Sequence, residues 1–200
     1  MVVDVEATCG PPDAQIDRRE REVIELGVVA VDADSGAVLG EWSSLVRPLL
    51  RPALSAYCTE LTGIRQADVD GAGVFSDTWA RLGAWEFLNN GRSRTFCAWG
   101  GFDRRILARE CRRHGLPWLL GRQHIDLRKA FSRTRRRRWE SHGLRAAAEL
   151  VGLAHLGGHR ALPDARTAAA LLPWCLPGRS FSASGARELV EHQVDAHAGD

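Results

Sequence analysis

Apolar positions along the chain fall into two rhythms. Val2 to Val5 is short, β-branched and interrupted only by Asp4, and Val23 to Val31 is a longer run of the same character; both predict strands. Gly10-Pro11-Pro12-Asp13 breaks any regular element between them, and Asp34-Ser35-Gly36 predicts a turn into a third strand, Ala37 to Val46. Three strands joined by turns predict an antiparallel or mixed sheet edge.

Beyond Arg47-Pro48 and Arg51-Pro52, an extended stretch, the spacing changes to that of helices. Ser55 can cap a short helix carrying Tyr57, Cys58 and Leu61, with Gly63 at its end. Ser76 to Leu88 predicts a helix through Trp79, Leu82, Trp85 and Phe87-Leu88, stopped by Asn89-Asn90-Gly91. Thr95 to Trp99 predicts a buried strand; Phe102 to Cys111, Asp126 to Phe131, Gly143 to Val151 and Asp164 to Leu171 predict helices. The order describes an α/β domain over residues 1–176 with a mixed central sheet flanked by helices. After Pro177-Gly178 the composition turns to Ser, Gly, Ala and charge, so 177–200 is expected to be a flexible tail with room for one helix at Ala186 to Val194.

At 200 residues the chain suffices for one domain with its own core. No apolar run approaches the ~20 residues that span a bilayer, and the start carries no secretion signal, so a soluble protein without a membrane partner is expected. Five dispersed cysteines without a C-x-x-C pair suggest reduced thiols in a cytoplasmic setting. Apart from His159, the histidines offer no H-x-x-x-H spacing on a convincing helix, which disfavours zinc. A net charge of +2 says little about nucleic acid, but its distribution is uneven: Arg133-Thr134-Arg135-Arg136-Arg137-Arg138-Trp139 lies between two predicted helices. Arg135, Arg136, Arg137 and Arg138 there could hold phosphates, or form a solvated charged loop.

Acids at element ends carry the chemistry. Asp4 and Glu6, two apart on a strand, point to one side among Val2, Val3 and Val5. They require a cation or a proton there, unless the strand is an edge with a solvated face. Asp103 follows the strand Thr95 to Trp99 across Gly100-Gly101, where active-site residues of open sheets gather and where a helix-start acid is also at home. His159 and Asp164 stand five apart, the histidine on a loop after Gly157-Gly158 and the acid at a helix start near Pro163. Four acids suit two hard divalent cations, and two such ions suit phosphodiester hydrolysis. A histidine can take the proton of the attacking water near neutral pH.

Asp4-Val5-Glu6-Ala7-Thr8-Cys9, Trp99-Gly100-Gly101-Phe102-Asp103 and His159-x-x-x-x-Asp164-Ala165-Arg166 resemble, in order, the three motifs of the DEDDh 3′→5′ exonucleases. Ser44-Leu45-Val46-Arg47-Pro48, Cys58-Thr59-Glu60-Leu61-Thr62-Gly63-Ile64 and Ile125-Asp126-Leu127-Arg128 are similar to the Eri-type branch, which trims histone messenger RNA, ribosomal RNA and small interfering RNA. The resemblance implies a ribonuclease H-like fold, with Asp4, Glu6, Asp103 and Asp164 holding two Mg2+ or Mn2+ ions and His159 as general base. It implies hydrolysis of single-stranded RNA or DNA from a free 3′ end to 5′-mononucleotides, with Ala7, Thr8, Leu61, Thr62, Ile64 and His159 around the terminal nucleotide. Phe102 either packs on a base or fills core. The rival readings are a catalytically silent nucleic-acid-binding module of the same fold and a polymerase-associated proofreading exonuclease.

Overall fold

A computed structural model of the chain describes residues 1–12, 16–17, 19–89, 94–134, 142–155 and 158–177. Five strands, β1 (Val2–Ala7), β2 (Val23–Val31), β3 (Val38–Leu45), β4 (Thr95–Ala98) and β5 (Gln123–Asp126), form one sheet in the order β3-β2-β1-β4-β5. β1, β2 and β3 pair antiparallel, whereas β4 lies parallel to β1 and β5 parallel to β4. Among the described residues the helices are α1 (Ala56–Thr62), α2 (Gln66–Asp70), α3 (Phe75–Ala84), α4 (Phe102–Arg113), α5 (Leu127–Thr134), α6 (Leu144–Leu150), α7 (Ala161–Ala170) and α8 (Leu172–Cys175). None of them is long and apolar enough to cross a membrane.

Alternation along β1 sorts the two cores. Val3 and Val5 face α3 and α4 through Phe75, Trp79, Leu82, Ile106 and Leu107, while Val2 faces α5, α6 and α7 through Phe131, Ala147, Ala165 and Ala168. β1 is therefore central and covered on both faces, which buries Glu6 and leaves Asp4 partly exposed.

A helix comes close to the sheet at Gly27, opposite Asp4 in the β1–β2 register. A Cβ there would lie 2.4 Å from the Ala161 carbonyl carbon and 2.5 Å from the Leu162 nitrogen. The missing side chain lets the first turn of α7 settle on β2, beside the carboxyl-bearing face of β1.

The expected elements recur with shifted ends. The helix expected over Ser76 to Leu88 stops at Ala84, because Trp85 turns extended (φ −63°, ψ 130°). Trp85 and Phe87 then pack edge to face at 5.1 Å, and the Phe87 ring fills the space over Gly40 of β3. α7 starts at Ala161, three residues before the expected Asp164. α2, β5 and α8 were not expected. β5 is four residues long and pairs in parallel with β4, so it has little pattern of its own. Pro173 sits in the first turn of α8, where its missing N–H costs no hydrogen bond. The basic run Arg135 to Arg138, the helix at Ala186 to Val194 and the tail beyond Pro177 lie outside the described residues.

Candidate active site

Asp4 and Glu6 share the β1 face covered by α7, and Glu6 is 9% exposed. Asp103 arrives from the other side of the sheet. β4 pairs with β1 only at Val2↔Cys97, and the chain then peels away through Gly100, whose φ of 114° suits glycine alone. The β1 edge is left open there, and Asp103 Oδ1 accepts the Val5 N–H at 3.3 Å. Asp164, 8% exposed, is carried by the first turns of α7.

His159 stands on the loop ahead of α7 at φ 57°, the one non-glycine residue with positive φ among those described. Histidine tolerates this region better than most residues, at a cost of roughly 1–2 kcal/mol. Ligand atoms of Glu6, His159 and Asp164 all lie within 4.8 Å of one another. The strained turn thus delivers an exposed imidazole to two buried carboxylates.

Burial and mutual repulsion set the charge state. Asp4 is raised well above the ordinary carboxyl range, first by burial and then by the charges of Asp103, Glu6 and Asp164. Glu6 is pushed up to about 8, chiefly by burial and then by Asp164, Glu25 and Asp103. Asp103 rises to about 6 by burial, against the pull of backbone N–H groups including that of Val5. Among the described residues no arginine or lysine pairs with any of these three acids. His155 Nε2 approaches Asp164 Oδ1 at 3.0 Å, but the contact is not aligned as a hydrogen bond, and that buried oxygen has no hydrogen-bond partner. Orphaned oxygen and uncompensated charge are what a divalent cation would satisfy, so this donor set fits such ions.

A further buried carboxylate beside the acids is neutralised differently. Glu25 faces Glu6 in the β1–β2 register and is clamped by Arg160, with Nη2 at 2.7 Å and Nε at 3.1 Å. It also accepts the Ala161 N–H at 2.8 Å. Glu25 therefore ties β2 to the residue next to His159 and to the start of α7.

Residues expected around the terminal nucleotide differ in burial and in their hydrogen bonds. Thr8 and Thr62 are buried and committed: Thr8 Oγ1 accepts the Glu22 N–H at 3.0 Å, and Thr62 Oγ1 accepts the Ile64 N–H at 3.1 Å while donating to the Cys58 carbonyl. Ile64 packs with Ile24, Cys58 and Val69 in a small core, and Ala7 is buried in the sheet core. Leu61 is half-buried, and Phe102 is 39% exposed. Ser55 Oγ accepts the Cys58 N–H and donates to the Cys9 carbonyl at 2.6 Å, pinning α1 to the chain just past Glu6. Sequence reasoning missed Glu25, Arg160, Gly27 and His155. The signals were slight: an acid inside the apolar run Val23 to Val31, and a histidine four residues before His159.

This mixed five-stranded sheet with helices on both faces is the ribonuclease H-like fold of DEDDh exonucleases. The chain belongs to the exonuclease family, whose RNase T-type description matches residues 1–172. It is 33% identical over 195 residues to the 3′-5′ exonuclease Snipper of Drosophila melanogaster, covering 86% of this chain and 67% of that protein. ERI1 exoribonuclease 2 of Danio rerio is 34% identical over 192 residues, covering 86% of this chain but 34% of its own length. The nuclease domain of 3'hExo, a DEDDh family member bound to rAMP, superposes with a TM-score of 0.73 at 26% identity, over 90% of this chain and 92% of that one. The chain thus spans about two thirds of one curated relative and one third of the other. Family and relatives support a 3′→5′ exonuclease activity on nucleic acid, and DEDDh exonucleases use divalent metal ions.

Proposed function

We propose that this chain hydrolyses single-stranded RNA or DNA from a free 3′ end and releases 5′-mononucleotides. Asp4, Glu6, Asp103 and Asp164 hold two Mg2+ ions in this reading, with Mn2+ able to replace them, and residues 1–176 form the catalytic domain. The convergence of Glu6, His159 and Asp164 within 4.8 Å carries it. When bound, such ions supply charge stabilisation at phosphorus and acidify water.

The protein's own groups do the rest. His159, exposed at the rim, accepts a proton from the attacking water and returns it to solvent. Arg160 and Glu25 keep that imidazole over the carboxylates. Phe102, exposed beside Asp103, offers a face to a base, and Leu61 borders the terminal nucleotide. The closed sheet core behind β1 excludes water from the acids, so their charges act in low dielectric.

The test is a time course on matched 5′-labelled single strands of RNA and DNA, with Mg2+ and with chelator. A ladder that shortens one nucleotide at a time only with metal is expected. Binding without shortening would instead establish the catalytically silent module.

A further inference from the structure

We propose that the flank of α4 turned away from the carboxylates is a second nucleic-acid contact, holding the backbone of the substrate strand 5′ of the end being trimmed. The proposal rests on the exonuclease reading and adds a site to it.

A cavity of about 380 Å³ lies between α4 and the segment leading to β5. Its volume suits a single nucleotide unit, since small-molecule sites run from ~300 Å³ upward. Arg104 and Arg112 on α4 and Arg122 on the following segment rim it, and all three are exposed. Cys111, Leu116 and Trp118 contribute apolar surface. Among the described residues no carboxylate lines the cavity, and none of the three guanidinium groups has an ion-pair or hydrogen-bond partner. The positive potential is felt nearby: His124 is held below its ordinary range first by burial and next by the Arg104 charge.

Geometry links this cleft to the acids. Arg104 follows Asp103 directly, turned ~100° about the helix axis, and Arg112 lies two turns further, ~12 Å along it. Ala108 stands between the two arginines and leaves the floor low. A strand leaving the carboxylates would round the start of α4 past exposed Phe102 and enter the cleft at Arg104. The Trp118 ring is held there by its Nε1 donating to the Gly121 carbonyl at 2.6 Å.

The lining also indicates how a ligand would be read. Among the described residues it includes no Asn, Gln, Asp or Ser to recognise a base edge. Guanidinium groups grip phosphates and an indole accepts any base, so the contact is independent of sequence and dependent on salt. A free mononucleotide would find no selective hydrogen bonds.

The test uses the full chain carrying Arg112→Glu and Arg122→Glu together, with Arg104 untouched. Binding of a long labelled single strand and of a dinucleotide is measured by fluorescence anisotropy in chelator across a salt series. For the long strand, affinity should fall ~10-fold or more, and the slope of log affinity against log salt should shrink by ~1.4, from ~0.7 per lost phosphate contact. Dinucleotide binding and metal-dependent dinucleotide turnover should not change. Unchanged long-strand affinity and slope would overturn the proposal, as would an equal loss on the dinucleotide, which would mark a mononucleotide pocket. If charge reversal lowers Tm, Arg112→Gln with Arg122→Gln carries the same comparison. Failure of the wild-type protein to shorten strands would defeat the exonuclease reading alone, because anisotropy reads the cleft without catalysis.

Discussion

Glu6 links the metal-free site to stability through pH. Its ordinary value of 4.5 is raised to about 8 in the folded chain, chiefly by burial and then by the charges of Asp164, Glu25 and Asp103. Between those values the folded protein keeps a proton that the unfolded chain has released, so stability is full below 4.5 and falls as pH rises through 8. At ~1.4 kcal/mol per pH unit the interval corresponds to on the order of 5 kcal/mol, which relaxation and water entry would reduce. A protein of this size changes Tm by ~2–4 °C per kcal/mol, so a fall of ~5 °C or more is expected between mild acid and pH 8.5. Asp103, raised to about 6, adds to the same slope at its lower end.

Thermal unfolding in chelator across that range, for wild type and Glu6→Gln, measures the effect. The variant should lose the part of the pH dependence that Glu6 carries, keep the part due to Asp4 and Asp103, whose burial raises them independently, and be more stable than wild type at pH 8. Mg2+ should restore wild type above neutrality, by ~2.7 kcal/mol per site at a hundredfold excess over Kd, and should do little for the variant. A metal-free wild-type Tm that is flat or rises from pH 5 to 8 would refute the reasoning.

Other substitutions probe the supports. Gly27→Ala should push α7 off β2, costing ~1–3 kcal/mol in denaturant unfolding and weakening metal affinity in calorimetry, since its Cβ would meet backbone at 2.4 Å. Glu25→Gln should lower kcat more than it raises KM, because it loosens the Arg160 contact beside His159; the half-exposed arginine keeps the stability loss to ~1–2 kcal/mol. His159→Ala should slow turnover by ~10²–10⁴ in single-turnover kinetics with little change in Tm, since the side chain is exposed. Phe102→Ala should raise KM on single strands by a factor corresponding to ~1–3 kcal/mol of lost stacking, leaving Tm within a degree or two.

The three acid-bearing segments were legible because each is local: a strand with two acids at period 2, a strand followed by glycines and an acid, and a histidine ahead of a helix start. Their order along the chain supplied the resemblance, and strand or helix type followed from apolar spacing. Thr62 and Ile64 show the limit of that approach. Their motif associates them with the nucleotide pocket, while the described contacts spend the hydroxyl on backbone and leave the isoleucine 1% exposed.

What the residue order could supply alone was the sheet-and-helix content, a set of four candidate acids with one candidate histidine, and the physical reason why closely spaced carboxylates withdrawn from water need a cation or a proton. Distances of closest approach were beyond it. That Gly27 admits α7, that Glu25 is spent on Arg160 and so differs from its neighbour Glu6, and that three arginines of α4 and its following segment share one cleft all depend on contacts between residues far apart in the chain. Such contacts follow from packing geometry in three dimensions, which no local period or spacing encodes.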